Sequence, residues 1–481
     1  MLALGQAPFG VWPVALAGAV LALLRGLGAP GPRPGFARGF SVGFGFALLA
    51  MSWIVEPFLV DIARHGWMAP FALAAMAAGF GLFWGAGFAV AGWLAPGSGA
   101  ARALALAVCW TGAELVRAYL FTGLPWALVS YQWIGTPVYQ LAAYAGPHGV
   151  TFLTLVLAGA AALAATRRRL GAAALVAAGL ALVWGAGLVL TPLTGLDKDT
   201  ARPFLRLIQP NAPQHLKWKP EWRDIFFERQ LALTAEPGAP DIVIWPEVAV
   251  TFRLESADAP YERISAAAGG RPVILGGQRV EAGRVYNSVI VLGADAAPQA
   301  LYDKHHLVPF GEYMPGGALA GALGLRGLAQ QLAYGFATGP GPVLLSAGQD
   351  LSFLPMICYE AIFPHELRAA SRRPDFLLHL TNDAWFGARS GPYQHLDQAR
   401  ARAIEFDLPV IRVANTGISA VINRAGRIVQ ALPLGEPGRI DALLPQSGPP
   451  SVYWRFGDSP VVLALFLIAA AQMLVRRRNT D

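Results

Sequence analysis

Seven apolar runs dominate the sequence, at roughly 9–24, 40–60, 68–94, 103–121, 149–165, 170–192 and 459–475. Each approaches the ~20 residues a helix needs to cross the ~30 Å hydrocarbon core of a bilayer. Arginines gather at the ends of these runs: Arg25, Arg33 and Arg38, then Arg167, Arg168 and Arg169, then Arg476, Arg477 and Arg478. Short cytoplasmic loops retain Arg and Lys, so the clusters mark the inner side and the stretch from about 196 to 458 is expected outside. Charge density divides the chain in the same way, because residues 1–195 hold only 12 of the 67 Asp, Glu, Lys and Arg residues. Lipid solvates the first part and water the rest. With 55% hydrophobic and 14% charged residues, disorder and ordinary cytosolic solubility are excluded. The expected organisation is about six N-terminal spans in residues 1–195, an outer globular domain over 196–450, and a C-terminal span at 459–475.

The net charge of +7 does not point to nucleic acid, since the arginine clusters sit at span ends and no basic stripe with interleaved aromatics occurs elsewhere. Cys109 and Cys358 lie far apart in zones of different composition, which excludes a disulfide framework.

Three ionisable residues stand inside the apolar runs, where they are costly unless paired or near an interface. Glu114 and Arg117 are three apart on one helix face and are expected to pair with each other. Glu56 lies near the outer end of its run and is expected at the interface. The uncharged segment 122–147, with Trp126, Tyr131, Trp133, Tyr139 and Tyr144, suits the headgroup zone.

The outer region alternates β-rich runs with helical stretches. Strands are expected at 204–209, 241–245, 272–277, 286–292, 352–358, 376–380, 409–414, 419–423 and 427–432, and helices at 220–235, 260–268, 363–372 and 393–406. This is an α/β layered domain with its own core.

Three stretches in it carry chemistry. Ile244-Trp245-Pro246-Glu247 places a carboxylate just past a buried strand, where a lone Glu is usually a solvated loop residue. In Tyr302-Asp303-Lys304-His305-His306-Leu307-Val308-Pro309-Phe310-Gly311-Glu312, Lys304 stands apart in a chain with 33 arginines and four lysines, the other three lying between 198 and 219. An isolated Lys among so many Arg suggests a place for a compact ammonium rather than a planar fork. His305 and His306 have no third ligand at metal spacing. Leu354-Pro355-Met356-Ile357-Cys358-Tyr359-Glu360 runs a buried strand into a helix with a cysteine at the junction. Buried Cys is most often a small hydrophobe. A thiol becomes a nucleophile, however, when a carboxylate accepts its proton and a cation stabilises the anion. Glu247, Lys304 and Cys358 supply one residue of each kind.

The order Glu, Lys, Cys, in the contexts Trp-Pro-Glu, Lys-His-His-Leu-Val-Pro-Phe-Gly-Glu-Tyr and Ile-Cys-Tyr-Glu, resembles the nitrilase, or carbon-nitrogen hydrolase, superfamily. Within it the chain is similar to the membrane branch, the apolipoprotein N-acyltransferases. Leu216-Lys217-Trp218, Thr381-Asn382-Asp383-Ala384-Trp385-Phe386-Gly387 and Arg402-Ala403-Ile404-Glu405 extend the resemblance over nearly the whole chain. It implies a multi-span α-helical membrane domain plus an α/β nitrilase-like αββα sandwich, in the bacterial inner membrane with the catalytic domain in the periplasm. It also implies transfer of an acyl chain from a phospholipid donor to the N-terminal amine of a diacylglyceryl apolipoprotein acceptor, with no cofactor and no metal.

Glu247 would then be the base, Cys358 the nucleophile that carries the acyl group as a thioester, and Lys304 with the Tyr359 N–H the oxyanion donors. Glu312 and Glu360 match flanking acidic positions and are expected to hold the lysine and order the nucleophile loop. A donor that cannot cheaply leave the bilayer, at ~0.8 kcal/mol per exposed methylene, requires a site that reaches the outer leaflet. Residues 313–341, with Arg326 their only charge, are expected to form an interfacial lid, and Trp218 and Trp385 to line the entrance.

Two other readings remain open on the residues alone: a membrane-tethered amidase with the same triad, and a transporter with a structural outer domain. At the start of the chain, family members generally have eight spans, and Val11-Trp12-Pro13 follows Met1 closely. Residues 1–8 are therefore expected to be the remnant of a first helix, the alternative being a seven-span variant with its N-terminus out.

Overall fold

The computed structural model describes residues 1–97, 99–167, 170–193, 202–316, 335–348 and 351–478. The chain forms two compact units. One comprises Met1–Thr194, Phe386–Asp407 and Gly448–Asp481, the other Gly195–Trp385 and Leu408–Ser447.

The first unit is helical. Its main helices are Trp12–Leu27, Pro32–Ala50, Ala69–Leu94, Ala100–Tyr119, Ala142–Arg167, Leu170–Leu190, Gly391–Phe406 and Ser459–Arg478. Among the described residues four helical stretches are long and apolar enough to span a membrane: Ile62–Leu94, Pro137–Thr166, Gly171–Leu190 and Ser459–Arg478. Pro32–Ala50 with Ser52–Leu59 makes a fifth if a pair bent by 63° counts as one span. The other two apolar runs differ for identifiable reasons. Trp12–Leu27 is only 16 residues long, and Ala100–Tyr119 carries buried Arg102, Glu114 and Arg117.

Small residues set the closest packing in this unit. Gly35, Gly39 and Gly43 repeat at four-residue spacing, and a Cβ at each would meet a backbone carbonyl oxygen of Phe88, Trp84 and Phe80 at 2.8, 2.6 and 2.7 Å. The helices Pro32–Ala50 and Ala69–Leu94 therefore touch backbone to backbone, as membrane helices do where lipid offers no hydrophobic drive.

In the segment 122–147, Trp126, Tyr131, Trp133 and Tyr139 are buried inside the unit. The backbone of this segment is the partner that Glu114 and Arg117 use. Arg117 donates to the carbonyls of Leu124 and of Trp126, the latter at 2.9 Å. Glu114 accepts from the Val129 N–H at 3.2 Å and the Thr151 hydroxyl at 3.1 Å. Their own separation is 3.9 Å, so the expected mutual pairing is the weaker contact. An uncharged aromatic sequence looks the same whether it faces headgroups or two buried charges. Glu56 is partly buried at the start of the short helix Glu56–Leu59 and lies against the backbone of Gly387. Arg102, not singled out by its sequence, is buried with its guanidinium on the carbonyls of Ala91, Ala95, Gly26 and Ala29.

The second unit contains two six-stranded sheets. Among the described residues twelve strands run in chain order: β1 Phe204–Gln209, β2 Ile242–Ile244, β3 Val273–Glu281, β4 Arg284–Leu292, β5 Pro298–Asp303, β6 Leu345–Ser346, β7 Ser352–Ile357, β8 Phe376–Thr381, β9 Val410–Ala414, β10 Ser419–Ile422, β11 Ile428–Leu432 and β12 Gly438–Leu443. The sheet orders are β12-β1-β2-β3-β4-β5 and β11-β10-β9-β8-β7-β6. Each has a parallel centre, β1-β2-β3 or β7-β8-β9, flanked by antiparallel strands.

The sheets are joined where the Asn211 N–H donates to the Asn415 carbonyl at 3.0 Å and the Ser419 N–H to Gln209 Oε1 at 3.0 Å. Outside the first sheet, Leu231, Tyr261 and Ile264 from the helices Pro220–Ala235 and Asp258–Ala267 bury Val243, Trp245 and Leu275. The sequence pattern misses β5, β6 and β12, all of them sheet edges, where half the strand faces solvent and period-2 burial fades. The helix expected over 363–372 shortens to Pro364–Leu367.

Candidate active site

In sheets with parallel centres, ligands bind beyond the carboxyl ends of the strands. Glu247 follows β2, Lys304 follows β5 and Cys358 follows β7. All three side chains are buried, and the charge of Glu247 and of Lys304 acts on the Cys358 thiol. The structure thus brings the three sequence-predicted residues together.

Glu247 is held by a close backbone crossing. A Cβ on Gly276 would meet the Pro246 carbonyl oxygen at 2.7 Å and the Glu247 Cα at 2.8 Å, so only glycine lets β3 pass there. Glu247 Oε1 accepts from Asn287 Nδ2 at 2.8 Å, and Oε2 has no hydrogen-bond partner. Burial raises its pKa above the ordinary carboxylate value, Lys304 opposes the rise and Glu312 adds to it. A carboxyl raised in this way is suited to accept and return a proton.

Lys304 Nζ donates to Glu312 Oε1 at 2.8 Å, while Glu312 Oε2 accepts from the Val308 N–H at 2.8 Å. Burial works against the ammonium, yet Glu312, Cys358 and Glu247 together hold the Lys304 pKa above its ordinary value.

Cys358 sits at φ 51°, in the left-handed region that a non-glycine residue adopts at a cost of order 1–3 kcal/mol. This turn lifts the side chain out of β7 at the start of the turn Cys358–Ile362. Burial and Glu247 raise the thiol's pKa, and Lys304 and a hydrogen bond with Thr381 oppose the rise. The Cys358 carbonyl is tied to His379 Nε2 at 3.1 Å, and His379 Nδ1 to Arg412 Nη1 at 2.8 Å. Arg412 is also paired with Asp383, which accepts from the Thr381 hydroxyl at 3.0 Å.

Glu360 braces the same turn: Oε2 accepts from the Ile357 N–H at 2.7 Å, and Oε1 from the Tyr302 hydroxyl at 2.7 Å and the His305 N–H at 2.8 Å. His305 and His306 both meet Glu366, at 3.0 and 2.5 Å, so these imidazoles are engaged by carboxylates. Among the described residues no His, Cys, Asp and Glu group is arranged to hold a metal ion. Tyr359 is buried, with its ring against His306 and Phe363. Trp218 and Trp385 are 45% and 40% exposed. Most of the expected lid, including Arg326, lies outside the described residues; its flank returns to the site where the Gly339 N–H donates to the Lys304 carbonyl at 2.8 Å.

Sequence reasoning assigned no role to Asn287, Thr381, Asp383, Arg412 or Lys217. The Thr381-Asn382-Asp383 and Leu216-Lys217-Trp218 motifs contain three of them. Asn287 and Arg412 are polar residues inside otherwise apolar strands, a signal that was available.

The two facing sheets, with a buried Glu, Lys and Cys at their strand ends, have a carbon-nitrogen hydrolase fold, and the carbon-nitrogen hydrolase family model matches residues 228–448. The model of the apolipoprotein N-acyltransferase N-terminal domain matches residues 1–161. The apolipoprotein N-acyltransferase of Caulobacter vibrioides is 40% identical over 498 residues, covering 97% of this chain and 91% of that protein. Those of Rhodopseudomonas palustris and Bradyrhizobium diazoefficiens are 36% and 39% identical, each covering 99% of this chain and 93% and 94% of the respective protein. The chain belongs to the apolipoprotein N-acyltransferase family, and it is an acyltransferase of the membrane.

Proposed function

We propose that the protein transfers an acyl chain from a membrane phospholipid to the N-terminal amine of a diacylglyceryl apolipoprotein, through a thioester on Cys358, with its catalytic domain on the periplasmic face of a bacterial inner membrane. The observation that carries this reading is the convergence of a raised, half-unpaired Glu247, an ammonium held by Glu312 and a thiol lifted out of its strand. The arginine clusters support the orientation.

Glu247 takes the thiol proton as Cys358 Sγ attacks the ester carbonyl carbon. Lys304 Nζ and the Tyr359 N–H face the tetrahedral oxyanion, where one lost donor costs about 10²- to 10³-fold. Collapse breaks the ester C–O bond, and the proton on Glu247 passes to the departing lysophospholipid oxygen. The acceptor amine then attacks the thioester, gives its proton to Glu247 and leaves as an amide while Cys358 regains its hydrogen. Glu312 and Glu360 position the lysine and the nucleophile turn, and Trp218 and Trp385 offer half-exposed aromatic surface at the entrance.

The test is to incubate purified protein with phospholipid and measure the mass of the tryptic peptide containing Cys358. An added acyl mass is expected, absent in Cys358→Ala and retained in Cys109→Ala. Acylation that persists in Cys358→Ala would overturn the assignment.

A further inference from the structure

Lys217 closes the short helix Gln214–Lys217 and is 3% exposed, yet its ammonium has no hydrogen-bond partner. An ammonium removed from water without a partner is destabilising by several kcal/mol. Glu247 is the charge that acts on it, but the two do not close on each other, and Glu247 Oε2 is likewise unpaired.

Lys217 also lines a cavity of about 190 Å³ together with Ala212, Phe226, Val250 and Phe252, ample for a polar group larger than a single water. Two other cations line it, and both have partners: Arg223 meets Asp224 at 3.6 Å and Arg263 meets Glu228 at 2.7 Å. Of these three cations Lys217 is the one whose charged group is buried with no hydrogen-bond partner among the described residues.

Resting on the acyl-transfer reading above, we propose that Lys217 and this cavity form the anion subsite of the acyl donor, the ammonium binding the phosphodiester of the phospholipid whose ester is attacked by Cys358. The chemistry of the donor ties the two ends together. The leaving oxygen and the phosphate oxygen are carried on one three-carbon glycerol, so the cation that holds the phosphate has to stand near the acid that serves the leaving oxygen. Lys217 stands within electrostatic reach of Glu247. A phosphodiester would give the buried ammonium the charge-assisted partner it lacks. Consistently, burial lowers the Lys217 pKa to about 8, with Glu247 opposing the shift, as for a cation whose counter-ion arrives with the substrate.

The test uses the full chain in detergent and reads single-turnover acylation of Cys358 from three donors. These are a short-chain phosphatidylglycerol, the diacylglycerol with the same two esters and no phosphate, and a p-nitrophenyl ester. The wild type is expected to react faster with the phospholipid than with the diacylglycerol. Lys217→Met is expected to lose roughly 10- to 100-fold more on the phospholipid than on the other two donors, with Lys217→Arg recovering part of that difference. Equal loss on all three donors would assign Lys217 to Glu247 instead and overturn the proposal, as would an unchanged rate on the phospholipid. Inorganic phosphate added to the diacylglycerol reaction should not accelerate it; acceleration would make free phosphate the ligand and equally overturn the proposal. If the wild type accepts the p-nitrophenyl ester but no phospholipid, the acyl-transfer reading itself fails.

Discussion

Glu312 holds Lys304 between its two carboxylate oxygens, each 2.8 Å from the ammonium, and ties itself to its own loop through Oε2, which accepts from the Val308 N–H at 2.8 Å. The pair therefore converts the backbone position of Val308 into the position of the ammonium. Glu312→Gln should keep the loop bond and weaken the grip on Lys304, lowering kcat about 10²-fold with little change in KM and in melting temperature. Lys304→Arg should be impaired at least as severely, because a planar guanidinium does not fit a site built for a compact ammonium. A normal kcat in either variant would show that the pair is only structural.

Glu247 can act as base only when ionised, and burial raises its pKa above the ordinary 4.5. Acylation should thus fall as pH drops through a midpoint above 4.5 and reach its plateau at higher pH. The thiol, raised by burial and by Glu247, should add no rise of its own near neutrality. Glu247→Gln should abolish the acidic limb and slow acylation by about 10²- to 10⁴-fold. Stopped-flow acylation across pH checks this, and an acidic limb that survives in Glu247→Gln counts against the assignment.

How far the sequence foretold this site depends on which residues are rare in their surroundings. Lys304 was visible because four lysines stand among 33 arginines. The same argument applies to Lys217, but its neighbours Lys198 and Lys219 made it look like part of a generic charged stretch. Its burial comes from tertiary packing that no local pattern carries. Glu312 and Glu360 were visible only through the family resemblance, since no local pattern shows that Glu312 turns back on Lys304 and Val308 or that Glu360 reaches Tyr302 and the His305 N–H. The parallel strands β2, β7 and β8 were legible because they are buried on both faces. The edge strands β5, β6 and β12 were not, and Lys304 stands at the end of one of them.

His305 supplies a prediction about stability. Burial lowers its pKa, but hydrogen bonds to Glu360 and Glu366 outweigh that and raise it to about 9 from an ordinary 6.5. Its contribution is therefore complete below pH 6.5 and lost as pH rises through about 9. Glu366, held down at about 2 by His305 and His306 against the effect of burial, loses its contribution only as pH falls towards 2 from the ordinary 4.5. His305→Gln should lower the melting temperature at pH ~6 by roughly 4–8 °C, about 2 kcal/mol. The gap between variant and wild type should narrow at pH ~10. A gap that is the same at both pH values would mean that the imidazole is neutral in the folded domain.

The glycine stripe Gly35, Gly39, Gly43 gives the membrane unit its own test, with a control on the same helix. A Cβ on Gly39 would lie 2.6 Å from the Trp84 carbonyl oxygen and 2.8 Å from the Phe88 Cβ, whereas one on Gly45 would meet nothing within 4 Å. The first contact is with backbone, which no rotamer change relieves, so Gly39→Val has to push the helices Pro32–Ala50 and Ala69–Leu94 apart. Overpacking of this kind typically destabilises by about 1–3 kcal/mol, and here it also disturbs Trp84 and Phe88, which pack edge-on against Trp110. Gly39→Val should therefore lower the melting temperature in detergent and the yield of folded protein, while Gly45→Val should leave both as in the wild type. Equal behaviour of the two variants would show that close backbone packing is not what holds this helix pair together.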